Sequence, residues 1–317
     1  MVAQDLDEDE EAPLPHPLDL PPLSTKPSYS KLISLLTRLT PPPPPWTSPA
    51  SPVRTTHNYA PWLTRLISTP MPWLPPAEAE TITTVASHNL AILAGRTAAP
   101  DMLRTFSVEG HDIELFEPSW TGDSIGYKTW AASLLLARRL PSLHTVSTSQ
   151  FLDPCKSGKC LGLGEGTGLL GIAAVKVMRW NVTLTDLPSI TPNLRKNMEG
   201  NCSERADVKE LDWRKPPSEE IIAQSGFDVV MGSDLFYDSE HPGMVVAMVE
   251  RYLRRASEAR AVIGYPLRTS HGREIEDFEE KMERAFDLEA RGEDIGVEDW
   301  GAEVVCRWNI YKWKVDL

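Results

Sequence analysis

Four glycines alternate at positions 162, 164, 166 and 168, inside the stretch L-G-L-G-E-G-T-G-L-L-G-I that runs from 161 to 172. A short apolar run leads in and a helical pattern leads out. Glycine has no Cβ, so the backbone can turn tightly there and lie flat against a ligand. A strand, a glycine loop and a helix in that order are where doubly wound α/β proteins hold nucleotide-like cofactors. Residues 166–171 fit G-x-G-x-x-G, and Asp186 follows about 20 residues on, where a ribose-binding acid belongs. Glu165 argues against a dinucleotide, because it stands where a pyrophosphate would lie. At ~5 Å and an effective dielectric of ~20, each like-charge pair costs on the order of 3 kcal/mol. S-adenosylmethionine carries a sulfonium, an ammonium and a ribose but no phosphate, and meets no such cost. If Glu165 points to solvent instead, it says nothing about the cofactor.

Further pieces narrow the choice. They are G-Y-K-T-W at 126–130, L-T-D-L-P at 184–188, N-L-R-K-N at 193–197, L-D-W at 211–213 and F-D-V-V-M-G-S-D-L-F-Y at 227–237. With the glycine loop, they resemble in order and spacing the seven-strand lysine methyltransferases often called methyltransferase family 16, across about residues 101–317. P-W-L at 72–74, G-R-T-A-A-P at 95–100 and F-E-P-S-W-T-G-D-S-I-G at 116–126 resemble the fungal enzymes that methylate a lysine of translation elongation factor 2.

The resemblance implies S-adenosylmethionine as cofactor and a protein substrate, elongation factor 2. It implies that Asp186 accepts from both ribose hydroxyls and that Trp130 and Trp213 line the cofactor, where an aromatic face near a sulfonium gains ~1–2 kcal/mol. Gly164, Glu165 and Gly166 would offer backbone groups to the methionine part, and Ser233 would lie at the adenine side. Asp234 and Tyr237 form a D-x-x-Y element. Methyl transfer is an in-line displacement, so the enzyme mainly positions a neutral amine. A lysine with pKa near 10.4 loses its proton at a cost of ~4–5 kcal/mol at pH 7. Asp234 would hold the incoming lysine and Tyr237 would orient or desolvate its nitrogen. The plainer roles are core packing for the tryptophans, a helix-terminal acid at Asp186, a cap at Asp234 and rim packing at Tyr237. His241 reads as a surface residue at a helix start. One departure from the family stands out. Its usual acidic residue in L-E-L-G is here Gly162, and Glu165 is expected to face differently in the loop. That implies a weakened hold on the cofactor, with a non-catalytic interaction protein as one alternative and a small-molecule N-methyltransferase as another.

The elements that must carry these residues alternate strand and helix from about residue 106. That predicts an α/β fold with a doubly wound, mainly parallel seven-stranded sheet of Rossmann-like methyltransferase type. Strands are expected at 159–163, 182–185, 208–211, 227–231, 261–264, 288–290 and 304–313, the last two paired antiparallel. A hairpin is expected at 107–116 and helices at 128–140, 168–179, 189–199, 242–254 and 273–286. Amphipathic helices at 29–39, 60–68 and 77–94 form an N-terminal appendage over 29–100, with the Pro41–Pro45 run as a stiff spacer. Residues 1–28 hold six acids between Asp5 and Glu11 and many prolines, and are expected to be a disordered tail.

The 317 residues are 41% apolar, enough for a packed core, and the net charge of −13 disfavours an intrinsic nucleic-acid surface. No apolar run approaches the ~20 residues of a membrane span, and no secretory signal is visible. Cys155, Cys160, Cys202 and Cys306 show no metal-ligand spacing and read as reduced thiols of a cytoplasmic, monomeric protein.

Overall fold

The computed structural model describes residues 15–40, 58–94, 98–119, 125–156, 158–202, 204–216, 226–298 and 302–314. The acidic run, the Pro41–Pro45 spacer and parts of two motifs, 95–97 and 120–124, lie outside them. The chain forms two compact units, one reaching Pro100 and the other running from Asp101 to Leu317.

The first unit is helical. Helix α1 (Tyr29–Leu39) buries Leu32, Leu36 and Leu39, one apolar stripe at helical spacing. Ser28 caps it by accepting from the Lys31 amide at 3.4 Å. Helices α2 (Ala60–Ser68) and α3 (Pro76–Leu93) open with proline in the first turn, where its missing N–H costs nothing, and add Leu63, Leu66, Ile82 and Ala86 to the same core. Buried Asn89 of α3 donates to the Leu36 carbonyl at 2.8 Å and accepts from Thr40 at 3.0 Å, closing the end of α1. The second half of the expected disordered tail departs from that expectation. Pro17–Asp19 and Leu23–Thr25 form short 3-10 turns, and Leu20 and Leu23 are buried. Carbonyls between the prolines accept from ring donors: Pro15 from Tyr59 at 2.8 Å, Pro21 from Trp62 at 3.2 Å and Pro27 from Trp73 at 3.0 Å. A proline-rich segment cannot form its own ladder, but its free carbonyls suit such donors.

In the second unit, β1 (Met102–Val108) and β2 (His111–Glu117) make a separate antiparallel hairpin. Glu109 and Gly110 both have positive φ, the geometry of a tight two-residue turn. Then follow α4 (Ala131–Arg139), β3 (Lys159–Leu163), α5 (Leu169–Met178), β4 (Asn181–Asp186), α6 (Thr191–Asn201), β5 (Ala206–Glu210) and β6 (Val229–Ser233). The unit ends with α7 (His241–Tyr252), β7 (Arg260–Pro266), α8 (Gly272–Ala285), β8 (Phe286–Val297) and β9 (Glu303–Trp313). The strand order is β5-β4-β3-β6-β7-β9-β8. The first five are parallel, and β9 inserts antiparallel between β7 and β8.

Side chains alternate between two cores. Cys160, Val229, Met231 and Val262 pack with α4 and α5, while Leu161, Val230, Ala261 and Ile263 pack with α7 and α8. Strand order reverses between β3 and β6, so the loops at their carboxyl ends diverge and leave a crevice. Several ends differ from expectation: the hairpin starts at Met102 rather than residue 107, and α6 and β6 each lie two residues later than expected. Strand β8 runs to Val297 rather than residue 290, because it is an edge strand whose mixed, largely charged sequence hides the strand pattern. Helix α4 starts at Ala131 rather than residue 128, because Trp130 is extended. Lys128 and Thr129 thereby lie buried beneath the crevice.

Candidate active site

The crevice holds a cavity of about 660 Å3, within the usual range for a small-molecule ligand. Its walls include Trp130, Gly164, Glu165, Gly166, Asp186, Trp213, Ser233, Asp234 and Tyr237, so five separate stretches of the sequence meet at one place.

The glycine loop is its floor. Gly164, Gly166 and Gly168 have φ of 58°, 59° and 94°, which side-chain-bearing residues rarely adopt. Gly162 has no such φ and lies inside β3. The loop is pinned to β4: the Glu165 amide donates to the Thr185 carbonyl at 3.1 Å, and the Thr185 hydroxyl donates to the Gly162 carbonyl at 2.7 Å. Thr129 and Thr167 share a buried hydroxyl contact at 2.8 Å, tying the G-Y-K-T-W segment to the loop. Asn197 of α6 holds the same loop by donating to the Thr167 carbonyl at 3.0 Å.

Glu165 corrects the expectation drawn from Gly162. Its side chain turns back over β3, and a Cβ built on Gly162 would lie 1.9 Å from its Oε1. Oε2 accepts from the Gly171 amide at 2.9 Å, while buried Oε1 has no partner among the described residues. Burial pushes this carboxyl up to about 8, against the Gly171 N–H and with help from Asp186. Asp186 ends β4. Its Oδ2 accepts from the Gly166 amide and its Oδ1 from the Leu187 amide, both at 2.7 Å. Burial raises it to about 6, opposed by those two N–H groups.

Asp234 is the first residue past β6 and holds φ of 55°, a left-handed conformation that Asp tolerates better than most residues. Its amide donates to the Gly264 carbonyl at 2.9 Å. Its Oδ2 lies 3.6 Å from Arg268, whose guanidinium also pairs at 2.6 Å with buried Glu298 and stands 5.5 Å from the Trp130 ring centre. Ser233 closes β6 beside it. Tyr237 is 46% exposed at the rim, and partial burial followed by the Asp186 and Asp234 charges pushes its hydroxyl up to about 12. It therefore stays a protonated donor at neutral pH. His241 meets the Tyr237 ring edge-on at 4.3 Å and Trp213 at 5.9 Å. Partial burial lowers its pKa, so at neutral pH it is uncharged.

His241 is thus part of the wall rather than a plain surface residue. The sequence reading also missed Arg268 and Lys128. Arg268 follows the end of β7, and residues just past the carboxyl ends of central strands are the ones such a fold aims at its crevice. Lys128 stood in plain sight inside G-Y-K-T-W.

Five carboxyl groups line the cavity (Glu165, Asp186, Asp212, Asp234 and Asp238) against two basic side chains, Lys128 and Arg214, so the acids are in excess even with Glu165 protonated. Such a surplus repels a pyrophosphate and attracts a cation. A model of the lysine methyltransferase family matches residues 109–285. The chain belongs to that family. It is 32% identical to the protein-lysine N-methyltransferase rrg1 of Schizosaccharomyces pombe, over 93% of this chain and 97% of that protein. It is 33% identical to the protein-lysine N-methyltransferase EFM2 of Saccharomyces cerevisiae, over 66% of this chain but only 54% of that protein. A shorter match, 37% identical over 26% of this chain and 36% of the other, is to EEF1A lysine methyltransferase 3 of Xenopus tropicalis. The enzyme is a protein-lysine N-methyltransferase, and S-adenosylmethionine is its methyl donor. The dinucleotide reading is thereby discarded. The cavity fits that donor: it is net negative, it carries an unsatisfied buried carboxyl oxygen, and its floor is bare of side chains at Gly164 and Gly166.

Proposed function

We propose that this enzyme methylates a lysine of a translation elongation factor, elongation factor 2 first among them, and that it acts in the cytoplasm as a monomer. The motifs at 72–74 and 116–126 support that target, as does the likeness to a relative named for elongation factor 1A. Among the described residues no helix is long and apolar enough to cross a membrane.

The observation that carries the reading is Asp234 beside the exposed rim residue Tyr237, next to the glycine floor. A side chain arriving from a large substrate reaches that edge without the substrate entering the cavity, which favours a protein over a metabolite. Asp186 would accept from the ribose hydroxyls, and Trp130, Trp213 and Ser233 would flank the rest of the donor, with Gly164, Glu165 and Gly166 along its methionine part. When bound, the donor supplies an electrophilic methyl on sulfur. Asp234 draws in the lysine ammonium. The nearby Arg268 cation disfavours that ammonium and so promotes loss of its proton to water. Tyr237, whose hydroxyl oxygen can accept from an amine N–H and whose ring is apolar, shields and orients the neutral nitrogen and leaves its lone pair free for in-line attack. The non-catalytic alternative rested on Gly162, and the turn of Glu165 over that glycine removes its motive.

The test is incubation of the recombinant enzyme and methyl-labelled donor with purified elongation factors 2 and 1A. Label on a lysine of factor 2 is expected, and Asp234→Ala should abolish it. Label on factor 1A alone would move the target, and label that survives Asp234→Ala would remove Asp234 from the chemistry.

A further inference from the structure

Gly162 and Glu165 fit each other in a way neither shows alone. The other loop glycines are demanded by positive φ, but Gly162 is not. What demands glycine there is occupancy: a Cβ at 162 would stand 1.9 Å from Glu165 Oε1 and 2.6 Å from its Cδ. Gly171 completes the seat. Its amide holds Oε2 at 2.9 Å, and a Cβ there would come within 3.0 Å of the same oxygen and 2.6 Å of Leu184. The carboxyl is thus built in, with one oxygen anchored and the other buried and free of any partner among the described residues. A buried polar atom left without a partner carries a desolvation cost that folding alone does not recover. A ligand that brings positive charge or N–H donors does recover it.

We propose that Gly162 and Glu165 are one binding device. The strand residue gives up its side chain so that the loop glutamate can seat its carboxylate in the wall of the cavity that takes the cationic methyl donor. The glycine at 162 is then a requirement of donor binding and not a loss.

The test combines calorimetric titration of S-adenosylmethionine with thermal melts of the ligand-free protein. Glu165→Gln should weaken the donor Kd by about 10- to 100-fold, the worth of a charge-assisted contact. Gly162→Ala should weaken it as much and lower Tm, because it displaces the carboxyl. Gly162→Ala combined with Glu165→Ala should recover most of that Tm loss. Moving the acid back, Gly162→Glu with Glu165→Ala, should bind the donor within a few-fold of wild type. Should Gly162→Ala fail to fold, the two double variants still decide the matter. Glu165→Gln binding like wild type, or Tm losses that simply add between positions 162 and 165, would overturn the proposal. No protein substrate enters these measurements, so their outcome is separate from that of the elongation-factor reading.

Discussion

At the scale of the residue, the site is governed by carboxyl groups held away from water. The Asp186 charge helps to hold the Glu165 proton, Glu165 in turn helps to hold that of Cys160, and both acids hold protons more tightly folded than unfolded. For Glu165 the native state carries the extra proton between its ordinary 4.5 and about 8. The stability this group contributes is present at the acid end and lost as pH rises through that window. Asp186 acts with the same sign between 3.8 and about 6. A cationic donor prefers both ionised, so its affinity should rise from pH 6 to pH 8 with proton release on binding. Calorimetry in two buffers of different ionisation enthalpy checks this. Glu165→Gln should flatten the profile, and a flat wild-type profile would contradict it. Arg268 supports two carboxylates at once, at 2.6 Å from Glu298 and 3.6 Å from Asp234. Arg268→Ala leaves Glu298 buried and unpaired, so a loss of about 3 kcal/mol is expected in denaturant unfolding. In the methylation assay it should lower kcat more than it changes donor Kd, and Arg268→Lys should restore part of both.

At the scale of the element, legibility followed how local the signal was. Helices α1 and α2 have the ends their apolar spacing predicts, Tyr29–Leu39 and Ala60–Ser68. Caps and prolines sit within a turn of the residues they affect. Strand β3 was equally plain, an apolar run ending in glycine. Strand β8 was not, because at the sheet edge it carries Asp287, Glu289, Arg291, Glu293 and Asp294, and a register shift between Leu288 and Ala290 interrupts its pairing. The ordering of residues 15–28 was hidden for another reason. Composition describes what a segment can bury by itself, whereas Pro15, Pro21 and Pro27 are held by Tyr59, Trp62 and Trp73 from 44, 41 and 46 residues away. Asn89 works in the same non-local way, linking α3 to the end of α1. Asn89→Ala should cost about 1–3 kcal/mol and raise hydrogen exchange at the last turn of α1. Unchanged exchange there would deny it that role.

For the whole molecule, the topology makes the chemistry possible. Strand β6 is next to β3 in space although two strands intervene in sequence, and this brings Asp234 beside the glycine loop. The sequence by itself determined the fold class, the family and the candidate donor-binding positions, because these rest on residue types at short spacing along strands and loops. Only the tertiary structure decided that Glu165 folds over Gly162, that Arg268 answers Asp234, and that His241 joins Trp213 and Tyr237 in one wall. A side chain's direction and partners are set by packing between segments far apart in the chain, and no local pattern encodes that.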